Sequence, residues 1–393
     1  MTPSSPPPRA RSFSWRGKAF RNVVYQGVAL AVVIALGAYL VHNTLQNMRV
    51  RGIQSGFDFI TQPAGFSIGE SVVPFDSAES YGMAFLVGLS NTLRVALVGI
   101  VLATLLGTLV GIGRLSHNFL LRSLCSAYVE VFRNVPLLLQ LFIWYFVLTE
   151  LLPPIETAMQ PVDGVYFSKN GLQYPVPLWV SGHWLTLAGL AAGAVGAWTW
   201  ARSARQHLYA TGVLRPVFWP GLAIVLAGGL IGWLAAGAPA GLDIPEKTDL
   251  NVVGGGAVTP EFLTMLIGLT IYTASYIAEI VRGGIQAVPF GQHEAAAALG
   301  LSRRMEVRLV QLPQALRVII PPLTSQYLNI TKNSSLAVAV GYPDLVSISN
   351  TSLNQTGRAI ECIALVMACY LTLSLLTAAF MNAYNKRSLI KER

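Results

Sequence analysis

Long apolar runs separated by short charged stretches organise this chain. Runs free of Asp, Glu, Lys and Arg cover 22–41, 95–113, 134–149, 170–201, 217–242, 262–278 and 362–385. An eighth run, 318–331, is short and holds Pro321 and Pro322, yet the apolar chain resumes beyond Lys332 as SLAVAVGY. A membrane-crossing helix needs about 20 mostly apolar residues. The pattern therefore predicts an all-α integral membrane protein with about eight transmembrane helices. The one starting at Val318 should be kinked, because proline removes a helix hydrogen bond that neighbouring helices must replace. The apolar part of the first run exceeds the roughly 7 to 15 residues of a signal-peptide core and closes without a small-residue cleavage pattern, so it reads as a retained span.

Composition agrees and excludes an ordinary soluble domain. Of 393 residues, 53% are hydrophobic and 11% charged, against roughly 25% charged in soluble globular proteins. Charge placement gives an orientation, since cytoplasmic loops retain Lys and Arg. Arg9, Arg11, Arg16, Lys18 and Arg21 stand before the first span with no acid among them, which puts the N-terminus inside. The loop 42–82 holds Arg49 and Arg51 against Asp58, Glu70, Asp76 and Glu79 and reads as external. Alternation then places Arg114 and Arg122, Arg202 and Arg205, Arg303, Arg304 and Arg308, and the tail NKRSLIKER in the cytoplasm. Both termini are thus expected inside, and the net charge of +9 follows from membrane orientation rather than from nucleic-acid binding. Cys125, Cys362 and Cys369 show no metal-ligand spacing and read as small packing residues.

Polar residues are unevenly spread over the spans. The stretch 153–258 carries two Gly-, Ala- and Trp-rich spans with few polar groups, as expected of helices that pack through small residues. Elsewhere Gln140, Thr270, Tyr272, Thr273, Ser275 and Tyr276, then Gln326, Asn329, Lys332, Asn333 and Ser335, lie in or beside apolar runs. Polar groups in a membrane face other helices or a water-filled path. A path for a polar solute is the expectation, with Gln140, Asn329, Lys332, Asn333 and Ser335 as candidate lining.

HEAAAALGLSRRMEVRLVQLP, residues 293–313, interrupts this pattern. Glu294 is expected in the first turn of a short helix, where it meets the positive end of the helix dipole. Alanines then leave a flat surface, and Gly300 suits the helix end. A second short helix should carry Leu301, Met305, Leu309 and Leu312 on one stripe, with Pro313 turning the chain into the next span. Such a helical hairpin fits either a groove of a partner protein or the lipid surface, and periodicity leaves both open.

The order Glu294-Ala295-Ala296, Gly300, Val310, Leu312-Pro313 resembles the EAA signature of membrane subunits of binding-protein-dependent ABC importers, with valine where isoleucine is usual. VEVFRNVPLLLQLFIWYF (129–146), YTASYIAEIVRGGIQAVPFGQ (272–292) and NITKNSSLAVAVGYPDL (329–345) are similar to segments of the polar amino-acid subfamily, and the length resembles its longer, Q-type general L-amino-acid permeases. The resemblance implies a type I importer permease fold. It divides the chain into a basic tail (1–22), a first span with external loop (23–82), a permease core (83–152 and 259–385, with the coupling loop at 289–313), an inserted helix pair (153–258) and a cytoplasmic tail (386–393). It further implies that Glu294, Ala295, Ala296, Gly300, Leu312 and Pro313 couple to a cytoplasmic ABC ATPase dimer.

Glu294 would meet an ATPase arginine or serve only the helix dipole. A second homologous permease chain, usually forming a heterodimer, and a periplasmic amino-acid-binding protein complete the implied set of partners, with the lipid bilayer around them. The chain has no G-x-x-x-x-G-K-[ST] loop. No catalytic residue, metal or cofactor is therefore expected here, and ATP with Mg belongs on the partner ATPase in the bacterial inner membrane system. The rival reading, a proton- or ion-coupled secondary amino-acid carrier, would use the same polar residues but has no use for a protruding docking hairpin.

Overall fold

A computed structural model describes residues 18–50, 52, 55–213, 215–248 and 251–388. The basic residues Arg9, Arg11 and Arg16 and the last five residues lie outside the described residues. The described helices are α1 (Lys18–Val50), α2 (Tyr81–Gly113), α3 (Phe119–Asn134), α4 (Leu137–Phe146), α5 (His183–Thr211), α6 (Phe218–Ala235), α7 (Pro260–Gln286), α8 (Phe290–Ala298), α9 (Arg303–Glu306), α10 (Leu312–Asn333), α11 (Leu345–Thr356) and α12 (Ala359–Ser388). Short strands occupy the loops of the stretch 153–258. They are β1 (Met159–Val162), β2 (Val165–Ser168), β3 (Gly171–Tyr174), β4 (Val176–Pro177), β5 (Leu242–Asp243), β6 (Glu246–Lys247), β7 (Val252–Val253) and β8 (Gly256–Val258).

Among the described residues, five helices are long and apolar enough to cross a membrane: α1, α2, α6, α7 and α12. They coincide with five of the eight expected spans, and the other three differ for identifiable reasons. The run at 134–149 is only part of a bent pair, α3 and the helix from Leu137 to Leu151, which meet at 104° around Pro136. Proline cannot donate to the preceding turn, and the residue before it avoids the helical region. The run from 170 begins as strands β3 and β4, so its helix, α5, starts only at His183 and includes Arg202 and Arg205. The run at 318–331 lies inside α10, whose Pro321 and Pro322 are accommodated without ending the helix, but whose polar residues lower its hydropathy.

The chain forms two compact units, one ending at Asn91 and resuming over Pro343–Leu375, the other comprising Thr92–Tyr342 and the chain from Leu376. In the first, Phe59, Tyr81, Phe85, Leu345, Ile348 and Cys362 form a core. The segment at 56–58 is tied to the start of α12. Arg358 donates to the Gly56 carbonyl at 2.8 Å and pairs with Asp58 at 2.7 Å, while Glu361 accepts from the Gly56 N–H at 2.6 Å. The fully buried Asn91 amide donates to the carbonyls of Glu70 and Pro343 at 2.8 and 2.9 Å, fixing the loop before α2 to the chain before α11.

In the second unit α7 is the central element, with 61% of its most apolar stretch enclosed. The second half of α2 reaches it through Gly107 and Gly111, where an added Cβ would lie 2.8 Å from the Ala274 carbonyl and 2.7 Å from the Ala278 carbonyl. Spaced four apart, these glycines let two backbones approach in lipid, where close packing replaces the hydrophobic drive. Tyr128 on α3 donates to the Ile271 carbonyl of α7 at 2.7 Å. Gln140, buried at the start of α4, donates to the carbonyls of Phe132 and Val135, both at 2.9 Å, and so closes the bend around Pro136.

Helices α5 and α6 pack on each other along a second glycine seam. Gly189 faces Gly228, and an added Cβ at Gly193 would lie 2.8 Å from the Val225 Cα. Tryptophans mark both ends: Trp179 and Trp184 with Trp233 at one, Trp198 and Trp219 at the other. The 18 residues of α6 rise about 27 Å between these aromatic ends, close to the hydrocarbon thickness.

Two substitutions separate these seams. Gly111→Val should lower thermal stability of the purified protein by about 1–3 kcal/mol through forced overpacking on α7. Gly228→Val should instead expose only the α5 to α6 stretch to protease while leaving the remaining fragments protected. Equal global destabilisation by both would show that the α5 and α6 pair is not a separate packing unit.

Candidate functional site

Two places in the second unit bring predicted residues together: the hairpin at 290–311 and a polar recess halfway along α7.

The hairpin starts after Pro289, whose extended conformation leads into α8. Glu294 is the fifth residue of α8, one turn later than the sequence reading put it. Dipole effects fade within the first turn, so the dipole role loses its basis and Glu294 stands exposed beside the exposed Ala295. Ala296 faces inward and is buried. Gly300 ends the helix with φ +68°. Its N–H bonds to the Ala297 carbonyl at 2.9 Å and the Leu301 N–H to the Ala296 carbonyl at 3.1 Å, the paired closure that a left-handed residue permits. An added Cβ at Gly300 meets nothing within 4 Å, so the glycine is set by backbone conformation, and the space outside it is open.

The return limb differs from the expected short helix. α9 covers only Arg303–Glu306, and residues Val307–Gln311 form a π-helical turn that runs directly into α10. Pro313, in the first turn of α10, explains it: its ring would clash with the carbonyl four residues back, and a wider turn removes the conflict. Met305, Leu309 and Leu312 are exposed, as are Phe290 (73%) and Leu299 (78%), so the hairpin displays an apolar surface.

Glu306 locks the two limbs. Its carboxylate pairs with His293 of α8 and, at 2.7 Å, with Arg303. These neighbours, His293 foremost, hold the Glu306 carboxyl below the usual glutamate range. Gln314 of α10 reaches back to Gln292 at 3.1 Å. At the root of the hairpin, Glu279 on α7 pairs with both Arg282 and Arg114, which joins the ends of α2 and α7. An apolar hollow of about 820 Å³ lies beside this root, lined by Ile112, Leu115, Ile285, Val288 and Leu312 among others.

The second place is a polar recess of about 360 Å³ lined by Tyr272, Thr273, Tyr276, Gln326, Asn329 and Asn333. α7 and α10 pack side by side, so residues four apart on each line the same hollow. Tyr272 donates its hydroxyl to that of Tyr276 at 3.2 Å. Of the five predicted path residues, Asn329 and Asn333 are brought together here. Lys332 is exposed and outside the lining, Ser335 donates to the Lys332 carbonyl at 2.7 Å, and Gln140 is engaged in closing the α3 to α4 bend. The sequence reading missed Arg133. The expected run starts at Asn134, just past it, whereas α3 runs through both and brings the guanidinium over the Tyr276 ring, 5.1 Å from its centroid. The apolar character of 119–149 around a single bend was the available signal.

The family described as "Binding-protein-dependent transport system inner membrane component" matches residues 208–391. The chain is 44% identical to the general L-amino acid transport system permease protein AapQ of Rhizobium johnstonii, over 95% of this chain and 94% of that protein. It is also 44% identical to the putative amino-acid ABC transporter permease protein YhdX of Escherichia coli, over 97% and 98%. To the glutamate/glutamine/aspartate/asparagine transport system permease protein BztB of Rhodobacter capsulatus it is 39% identical over 100% of both.

Gly300→Ala should weaken the hairpin closure by about 1–2 kcal/mol, the cost of a left-handed non-glycine residue, seen as faster hydrogen exchange at the Leu301 N–H. The Glu306 lock carries a second expectation. A carboxyl held low in the folded state contributes stability above its unfolded pKa, about 4.3, and loses it as pH falls through the lower folded value. Acidification below about pH 4 should therefore loosen α8 from α9 in the native protein but add nothing in Glu306→Gln. Identical acid profiles for the two would remove the lock.

Proposed function

The chain belongs to the binding-protein-dependent transport system inner membrane components, and from that premise we propose that it couples amino-acid passage to a separate ATPase through residues 290–313. It is a permease subunit of an ABC importer for amino acids, an inner-membrane protein built of apolar helices and not itself catalytic. Membership in a binding-protein-dependent system favours this reading over a proton-coupled carrier.

The observation that carries the coupling role is the exposed hairpin. Its helix end is shaped by Gly300, it has open space outside the glycine, it shows exposed Phe290, Leu299 and Met305, and an internal Glu306 lock stiffens it. An apolar surface of this kind, held rigid, suits a groove of a partner. Ala295 and Ala296 keep α8 slim, Glu294 stands free to meet a cation of the ATPase, and Leu312 with Pro313 transmits hairpin movement into α10 through the π turn. ATP and Mg then sit on the ATPase dimer in the cytoplasm, and closure of that dimer rocks α7 and α10 by their hairpin. Both termini face the cytoplasm in this arrangement, a periplasmic binding protein delivers the substrate, and a second homologous permease chain completes the pore as a heterodimer. Asn329 and Asn333 line the path, with Lys332 and Ser335 at its edge, while Gln140 serves the scaffold.

The test is ATP-driven uptake of labelled amino acids by vesicles holding this chain with its permease, ATPase and binding-protein partners. Gly300→Trp places a bulky ring in the open space and in a left-handed position. It should abolish uptake, or cut it at least tenfold, while the permease pair still assembles. Uptake that persists without ATP and follows an imposed proton gradient would overturn the coupling role.

A further inference from the structure

Midway along α7 an unpaired cation stands beside a hollow that holds no acid. Tyr276 lies 16 residues into a helix of 27, or about 24 Å along about 40 Å, one turn before Glu279, and the exposed Arg133 guanidinium stacks on its ring. Among the described residues Arg133 forms no salt bridge or side-chain hydrogen bond, and the Tyr276 ring is its one recorded partner. Gln326, Asn329 and Asn333 likewise present carboxamides to the recess without a side-chain hydrogen bond among the described residues. Charge and amides inside a membrane are costly unless they meet water or a polar guest. The recess volume of about 360 Å³ lies within the range of small-ligand pockets.

Resting on the amino-acid permease reading, we propose that Arg133 reads the carboxylate of the passing amino acid, with Tyr276 as its platform. A guanidinium offers a planar fork of donors that matches a carboxylate. The oxygens of Asn329, Asn333 and Gln326 and the phenol pair then accept from the ammonium group. Every lining residue is neutral, and the Arg133 guanidinium is the charge stacked against that lining, with no acid among the described lining residues. The recess therefore takes neutral and acidic amino acids and disfavours basic ones.

The experiment uses the permease pair with its ATPase in nanodiscs, without binding protein, and measures binding of L-glutamine, L-glutamate and L-arginine alongside 4-aminobutanamide, which is glutamine lacking its carboxylate. Arg133→Gln should weaken L-glutamine and L-glutamate at least tenfold and leave the weak binding of 4-aminobutanamide within twofold. Arg133→Lys, which keeps the charge but neither the planar fork nor the stack on Tyr276, should restore only part of the loss. A merely structural arginine would move all four ligands alike, and that result would overturn the proposal, as would wild-type binding retained in Arg133→Gln or no measurable binding to wild type. The permease reading fails separately, if the complete wild-type system with binding protein imports no amino acid under ATP.

Discussion

The approach of α2 to α7 at Gly107 and Gly111 is the contact on which the second unit depends. It lets α7 become the most enclosed of the apolar helices, and an enclosed helix can carry polar residues that a lipid-facing one cannot. Thr270, Thr273 and Ser275 are buried on it, Tyr272 and Tyr276 open into the recess, and Glu279 anchors two arginines at its far end. One helix thus connects the polar hollow to the root of the hairpin. Movement imposed on α8 and α9 has a short, stiff route to the recess, through Glu279 on one side and the π turn into α10 on the other.

The hairpin's own construction fits transmission. Its turn rests on a glycine conformation rather than on packing, its limbs are held by a carboxylate shared between His293 and Arg303, and its outer surface is apolar yet uncovered. A loop that only bridged two spans would need none of these. The stretch 153–258 follows a different logic: α5 and α6 pack on each other along glycines and carry aromatic residues at both ends.

Much of this was legible in the sequence because the relevant constraints are local. Apolar runs located α1, α2, α6, α7 and α12, and Gly300 and Pro313 announced the hairpin's end and exit, since each imposes its conformation on its own few residues. What escaped was non-local. Whether Pro136 splits a run into two helices at 104° depends on Gln140 folding back to satisfy the freed carbonyls. The same bend decides that Gln140 is scaffold and that Arg133 reaches Tyr276, which no periodicity reveals. Glu294 was misplaced by one turn because α8 begins at Phe290, directly after Pro289, rather than at the charged residues.

The central claim is that the exposed apolar tip of the hairpin is the seat of the ATPase. The most direct measurement is site-specific photo-crosslinking from Leu299, 78% exposed at that tip, in the assembled transporter with and without ATP. A crosslink to the ATPase whose yield changes with nucleotide is the expected result. A crosslinker at Leu299 that captures only lipid, in a transporter that still drives uptake with ATP, would contradict it.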